Sequence, residues 1–131
     1  MRLRDADMRD AHLLFDWKND RAVRKAAILT DQKIDWKGHL KWLEKNVDYI
    51  QIIEVGGRPV GDVRITKDEV AIKIDPKFRG KGIALSVLRR VSKKGMTAKI
   101  VPSNIASMNL FFKAGFIPMK FKGTHYIFTR V

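Results

Sequence analysis

No cysteine occurs among the 131 residues, which excludes disulfides, thiolate catalysis and cysteine-ligated zinc. Three histidines, His12, His39 and His125, lack the H-x-x-x-H spacing of a helical zinc site, so no metal ligand set is expected. Linkers rich in proline, serine or glycine are missing, as are low-complexity tracts and internal repeats. The chain offers no place to divide it and reads as one domain, 1–131. No apolar run approaches the roughly 18 residues of a membrane span, and Met1-Arg2-Leu3-Arg4-Asp5 is not the start of a signal peptide. A cytoplasmic location without membrane contact is the expectation. Acidic residues are scarce, 14 against 27 Lys and Arg, for a formal charge of +13. That excess favours an anionic partner: a phosphorylated cofactor, a nucleotide-linked substrate, nucleic acid or an anionic surface. Hydrophobic residues make up 45% of the chain, enough for a folded core.

Periodicity predicts a short strand at residues 2–4, a helix over 8–19 with Met8, Leu13, Leu14 and Trp17 at helical intervals, and a short helical segment at 21–27. Asp35 can cap a helix running to residue 47, in which Trp36, Leu40, Leu43 and Val47 form one apolar stripe. Strands at 49–55 and 59–66 flank Gly56-Gly57 as a hairpin, and a third at 69–75 puts Val70, Ile72 and Ile74 on one face and Glu69, Ala71 and Lys73 on the other. A helix over 83–93, a strand over 96–101, a helix over 104–114 and a closing strand pair follow. This order gives an α+β domain with a mixed sheet and helices on both faces.

Between the third strand and the next helix lies Phe78-Arg79-Gly80-Lys81-Gly82. A basic, glycine-bearing turn into a helix suits an anion, because free amides and the positive end of the helix dipole converge there. Such glycines also serve simply as turn and packing residues. Arg79-Gly80-Lys81-Gly82-Ile83-Ala84 further matches the Arg/Gln-x-x-Gly-x-Gly/Ala pattern of the GNAT N-acetyltransferases, and Asn104-x-x-Ser107-x-x-Leu110-Phe111-x-x-x-Gly115-Phe116 resembles their C-terminal block. The resemblance implies a GNAT domain whose central mixed sheet splays between two parallel strands. It also implies acetyl-CoA as cosubstrate, with its pyrophosphate on the amides of residues 79–84 and its pantetheine near Asn104, Ser107 and Phe111. Arg79, Lys81 and Lys77 would add charge at the phosphates.

The N-terminal half, with Trp17, Asn19, Arg21, Val23 and Arg24, then His39-x-x-Trp42 and Pro59-x-Gly61-x-x-Arg64, is similar to GNATs that acetylate nucleotide-linked amino sugars of the pseudaminic acid type. This implies a nucleotide-linked 4-amino sugar as acceptor, with Asn19, Arg24, His39, Trp42 and Arg64 on the acceptor side. Trp17 fits a core position as well as a stacking one, and His39 beside Trp42 fits a packed core. By the same resemblance Glu69 is the candidate base, and a bulge in the third strand would present the Ile74 amide to the thioester oxygen. The usual general-acid tyrosine falls on Phe111, which has no proton to give. A water, Ser107 or His125 then protonates the sulfur, or the thiolate leaves unaided. Two other readings remain: a protein N-terminal or small-amine acetyltransferase, and a basic nucleic-acid-binding module, the latter disfavoured because the cations are dispersed along the chain. Monomer and homodimer are equally open.

Overall fold

The computed structural model describes residues 1–20, 23–24 and 34–131. The elements are β1 (Arg2–Asp5), α1 (Ala11–Lys18), α2 (Trp36–Asn46), β2 (Ile50–Val55), β3 (Arg58–Thr66), β4 (Glu69–Ile74), α3 (Ile83–Val91), β5 (Thr97–Ile100), α4 (Ile105–Lys113), β6 (Phe116–Phe121) and β7 (Tyr126–Arg130). The strands form one sheet in the order β1-β2-β3-β4-β5-β7-β6. Every neighbouring pair is antiparallel except β4 and β5, which run parallel as the resemblance implies.

Local chemistry accounts for most boundaries. Asp7 accepts from Arg9 N and opens a 3-10 turn at Met8–Asp10, so α1 starts three residues later than its periodicity suggests. The Asp35 carboxylate accepts from Gly38 N at 2.7 Å and caps α2. Gly56 and Gly57, at φ 59° and 78°, supply the left-handed pair that a tight β2–β3 hairpin requires. The helical segment expected at 21–27 lies mostly outside the described residues; Val23 and Arg24, which are described, are helical.

The sheet carries an apolar layer on each face. Under α3 and α4, Val63, Val70, Ala98, Ile100 and Phe128 pack with Val87, Leu88 and Phe111. Under α1 and α2, Ile50 and Ile52 pack with Leu14, Trp17 and Leu43. Pleating sends Val70, Ile72 and Ile74 to the α3/α4 side and leaves Glu69, Ala71 and Lys73 on the α1/α2 side.

Trp17, 2% exposed, ties the two halves together: its indole Nε1 donates to Asp75 Oδ2 at 2.9 Å, while Asp75 Oδ1 accepts from Lys77 N. Asp75 thus anchors α1 to the end of β4 and starts the following turn. Trp17→Phe keeps most of the packing but deletes this charge-assisted bond, and should lower unfolding free energy by about 1 to 3 kcal/mol in denaturant titrations.

Candidate active site

β5 pairs with β4 at one position, Glu69 opposite Thr97, and the two strands then part. The β3–β4 register, from Thr66 opposite Glu69 to Gly61 opposite Ile74, together with the bond from Asp75 N to Val60 O, turns the amides of Ala71, Lys73 and Asp75 toward β3. Those of Ile72 and Ile74 therefore face the gap. The expected bulge is absent, since this register has no shift. Alternation in a regular strand aims the Ile74 amide, and β5's departure leaves it without a strand partner. The gap opens into a cleft of about 830 Å³ that extends from Glu69 along β4 to the glycine turn and across to α4.

Gly80 and Gly82 stand at φ 77° and 76°, and Gly82 caps α3 with no side chain to do so. The first helical bond runs from Ser86 N to Gly82 O, so the amides of Ile83, Ala84 and Leu85 have no intrahelical acceptor. A Cβ built on Gly80 or Gly82 meets nothing within 4 Å. The glycines are required by backbone conformation, and the space before the amides is open to a ligand. Lys81 is exposed near the Phe78 ring. Arg79 departs from expectation: its guanidinium donates from Nε to Ile74 O at 3.0 Å and from Nη2 to Asp20 Oδ2 at 2.8 Å. Its side chain ties the turn to the end of α1, and its charge is committed to a carboxylate.

Across the cleft, Asn104 Oδ1 accepts from Ser107 N and caps α4, which accounts structurally for that asparagine. Ser107, Leu110 and Phe111 line the wall, and Phe111 packs edge-on against Phe116. His125 bonds to Thr124 in the β6–β7 turn and is not on this wall, so it is removed as a proton donor. Lys99, Asn109 and Lys113 line the cleft although no motif marks them. The β5 and α4 periodicities were the available signal for Lys99 and Lys113.

The α1/α2 face holds the proposed acceptor residues, and here several expectations change. Among the described residues the wall includes Val23 and Arg64 but not Asn19, Arg24, His39 or Trp42. Both ends of the Asn19 amide are spent on the Ile34 backbone, donating to its O at 3.1 Å and accepting from its N at 2.8 Å. Arg24 Nε donates to Asn19 O, and Arg21 lies outside the described residues. His39 is fully buried among Phe15, Trp36 and Trp42, with Nε2 donating to Ala11 O at 2.9 Å. It is a core histidine that supports Trp42.

Burial also lowers the His39 pKa below its usual 6.5, against the opposing effect of the Ala11 bond. The folded chain therefore prefers the neutral ring, and the unfolded chain takes up the proton first as pH falls below 6.5. Stability present above 6.5 is lost on acidification. Denaturant midpoints measured from pH 7.5 to 5 should fall, and His39→Gln should flatten that dependence.

What remains on this face is charge. Glu69 pairs with Lys99 at 3.2 Å at the closed end of the splay. Asp62, 1% exposed, lies opposite Lys73 in the β3–β4 register with its Oδ1 3.3 Å from Nζ, an ion pair without hydrogen-bond geometry. Lys18 Nζ sits 3.2 Å from the centroid of the Trp42 ring, and Arg64 Cζ lies 5.2 Å from it. Desolvation first, then Lys73 and Arg64, push the Lys18 pKa down to about 7.

No protein-family model matches the chain. An uncharacterized protein of Methanocaldococcus jannaschii is 28% identical over 125 residues, covering 82% of this chain and 26% of that protein. The chain thus spans about a quarter of that relative's length. Among solved structures, spermidine N-acetyltransferase from Vibrio cholerae, in complex with CoA and spermine, superposes with a TM-score of 0.78 at 14% identity, covering 97% of this chain and 91% of that one. A GNAT-family acetyltransferase from Bacillus anthracis gives 0.75 at 15% identity, covering 97% and 90%. The chain has the GNAT acyltransferase fold, with β4 and β5 as its parallel pair.

Proposed function

We propose that residues 1–131 act as an N-acetyltransferase domain that moves an acetyl group from acetyl-CoA to a primary amine, the 4-amino group of a nucleotide-linked sugar. The observation that carries the transfer reading is the continuous path from the unpaired amides of Ile72 and Ile74 to the open amides of Ile83, Ala84 and Leu85. Amides spaced along a strand edge suit an extended amide-bearing arm, and a glycine-opened helix start suits its pyrophosphate. The residues present therefore fit acetyl-CoA, which when bound would supply the acetyl group as a thioester. CoA in the Vibrio cholerae enzyme, which has the same fold, supports this reading.

This chain's own contributions follow from the geometry. The Ile72 or Ile74 amide would donate to the thioester oxygen as charge grows there, and a preorganised donor of this kind is worth roughly 3 to 4 kcal/mol. Glu69, at the closed end of the splay beside Lys99, would accept the amine proton directly or through water. Phe111, on the cleft wall, would lie beside the arm and has no proton to donate, leaving Ser107 or water to protonate the sulfur, or the thiolate to depart unaided. Phe111→Tyr should raise kcat by about 10- to 100-fold with coenzyme affinity within twofold, read from initial rates of thiol release. An unchanged kcat would mean that sulfur protonation does not limit turnover.

The acceptor assignment rests on charge. Arg64, Lys73, Lys18 and Lys99 crowd the acceptor half, so a cationic polyamine would meet repulsion and an anionic amine attraction. Asn19 and His39, occupied elsewhere, leave this assignment to Arg64 and its neighbours. A thiol-release screen of nucleotide-linked amino sugars, polyamines and N-terminal peptides at matched acetyl-CoA tests it. Turnover of amino sugars is expected; turnover of peptides alone would replace this acceptor with a protein N-terminus. A cytoplasmic setting, where acetyl-CoA is made, belongs to the same proposal; no described helix is long and apolar enough to cross a membrane.

A further inference from the structure

We propose that Arg64, Lys73 and Lys18 form a second phosphate site, on the acceptor half of the cleft and separate from the glycine turn, which holds the acceptor's phosphate while its amine meets the thioester. The assignment of that phosphate to the acceptor rests on the transferase reading above. The site itself rests on packing and charge.

Arg64, Lys73 and the partly charged Lys18 gather here around one carboxylate, Asp62, which is buried and, among the described residues, paired only with Lys73 at 3.3 Å. Among the described residues neither Lys18 nor Arg64 makes an ion pair within 4 Å. The indole of Trp42 holds both of them through its ring quadrupole, Lys18 at 3.2 Å and Arg64 at 5.2 Å. A ring is a weaker counter-charge than an anion, so the cluster carries uncompensated positive charge. Arg64 and Lys73 line the cleft, so a ligand has access to that charge. A planar guanidinium beside an ammonium suits a phosphate, which accepts two parallel bonds from the first and a point charge from the second.

Lys18 reports on the site. It faces Asp62 and Arg64 on β3, Lys73 on β4, and Trp42 and the neutral His39 on α2. Burial and its two cationic neighbours hold its pKa down to about 7, and Asp62 alone opposes them. An arriving phosphate adds negative charge and favours the ammonium, so Lys18 should titrate at higher pH when phosphate is bound. By linkage, the part of phosphate binding that Lys18 supplies is lost as pH rises through 7, opposing the gain in charge from the phosphate's own second ionisation.

The test uses the whole chain saturated with coenzyme A, which fills the glycine turn, and inorganic phosphate as the probe. Lysine labelled at Cε is followed by NMR across pH with and without phosphate. Phosphate should move the Lys18 midpoint up by about half a pH unit or more. Arg64→Met, at the cleft wall and clear of the Asp62–Lys73 pair, should weaken phosphate at least about tenfold. Lys18→Met should weaken it and leave only the pH dependence of the phosphate's own second ionisation, while Lys45→Met, which removes an equal charge from the exposed end of α2, should leave it within about twofold. An unmoved Lys18 midpoint, or phosphate binding as tight in Arg64→Met as in the parent, overturns the proposal. Failure of coenzyme A to bind would instead remove the transferase reading, and the Arg64→Met comparison would still decide the phosphate site.

Discussion

Gly82→Asp is expected to weaken coenzyme A binding at least about 100-fold while leaving the protein folded, a difference of roughly 2.7 kcal/mol in binding. Aspartate is one of the few side chains that tolerates the left-handed backbone found here, φ 76°, and no neighbour lies within 4 Å of its Cβ. It is also a strong helix N-cap, so its carboxylate would accept from the amides of α3 that the glycine leaves open. The variant therefore supplies its own anion at the phosphate position, and adds repulsion to any that approaches. Thermal stability should fall only modestly, the left-handed strain of a non-glycine residue being offset in part by the new cap. Calorimetry that found coenzyme affinity within threefold of the parent would place the phosphates elsewhere.

Lys73→Met should destabilise the fold by about 3 kcal/mol. Removing one partner of a buried ion pair typically costs roughly 3 to 5 kcal/mol, because the remaining charge stays desolvated. Asp62 at 1% exposure is such a charge, and Lys73 is its one ion-pair partner among the described residues. The lower end of the range applies because Lys18, freed from repulsion by Lys73, gains charge and recovers part of the loss. Lys73→Met combined with Asp62→Asn should restore most of the stability. A single variant within 1 kcal/mol of the parent in urea titrations would show that the pair does little for the fold.

The backbone of β4 and the glycine turn was more legible from sequence than the side chains of the α1/α2 face, for physical reasons. Backbone sites depend on residues with no substitute: glycines at φ 76° and 77°, an asparagine that caps α4, and alternation in β4 are local properties, visible in a one-dimensional pattern. Side-chain contacts are not local. Asn19 spends its amide on Ile34, Arg79 turns to Asp20, and His39 folds into an aromatic core through Ala11, none of which spacing reveals. The β4 bulge failed because the same result is reached by divergence of β5. Nothing in the spacing joins Asp62 to Lys18; only the β3–β4 register and the packing of α1 on the sheet bring them together.

The central claim, acetyl transfer from acetyl-CoA to an amine in the β4–β5 cleft, is most directly tested by following radiolabelled acetyl from acetyl-CoA. The assay would use the whole chain, a nucleotide-linked 4-amino sugar as acceptor, and free coenzyme A counted in parallel. The account predicts one N-acetyl product per coenzyme A released, with both lost in Gly82→Asp. Label that stays on acetyl-CoA with amino sugars, polyamines and peptides alike, from a chain that binds no coenzyme A, would contradict it.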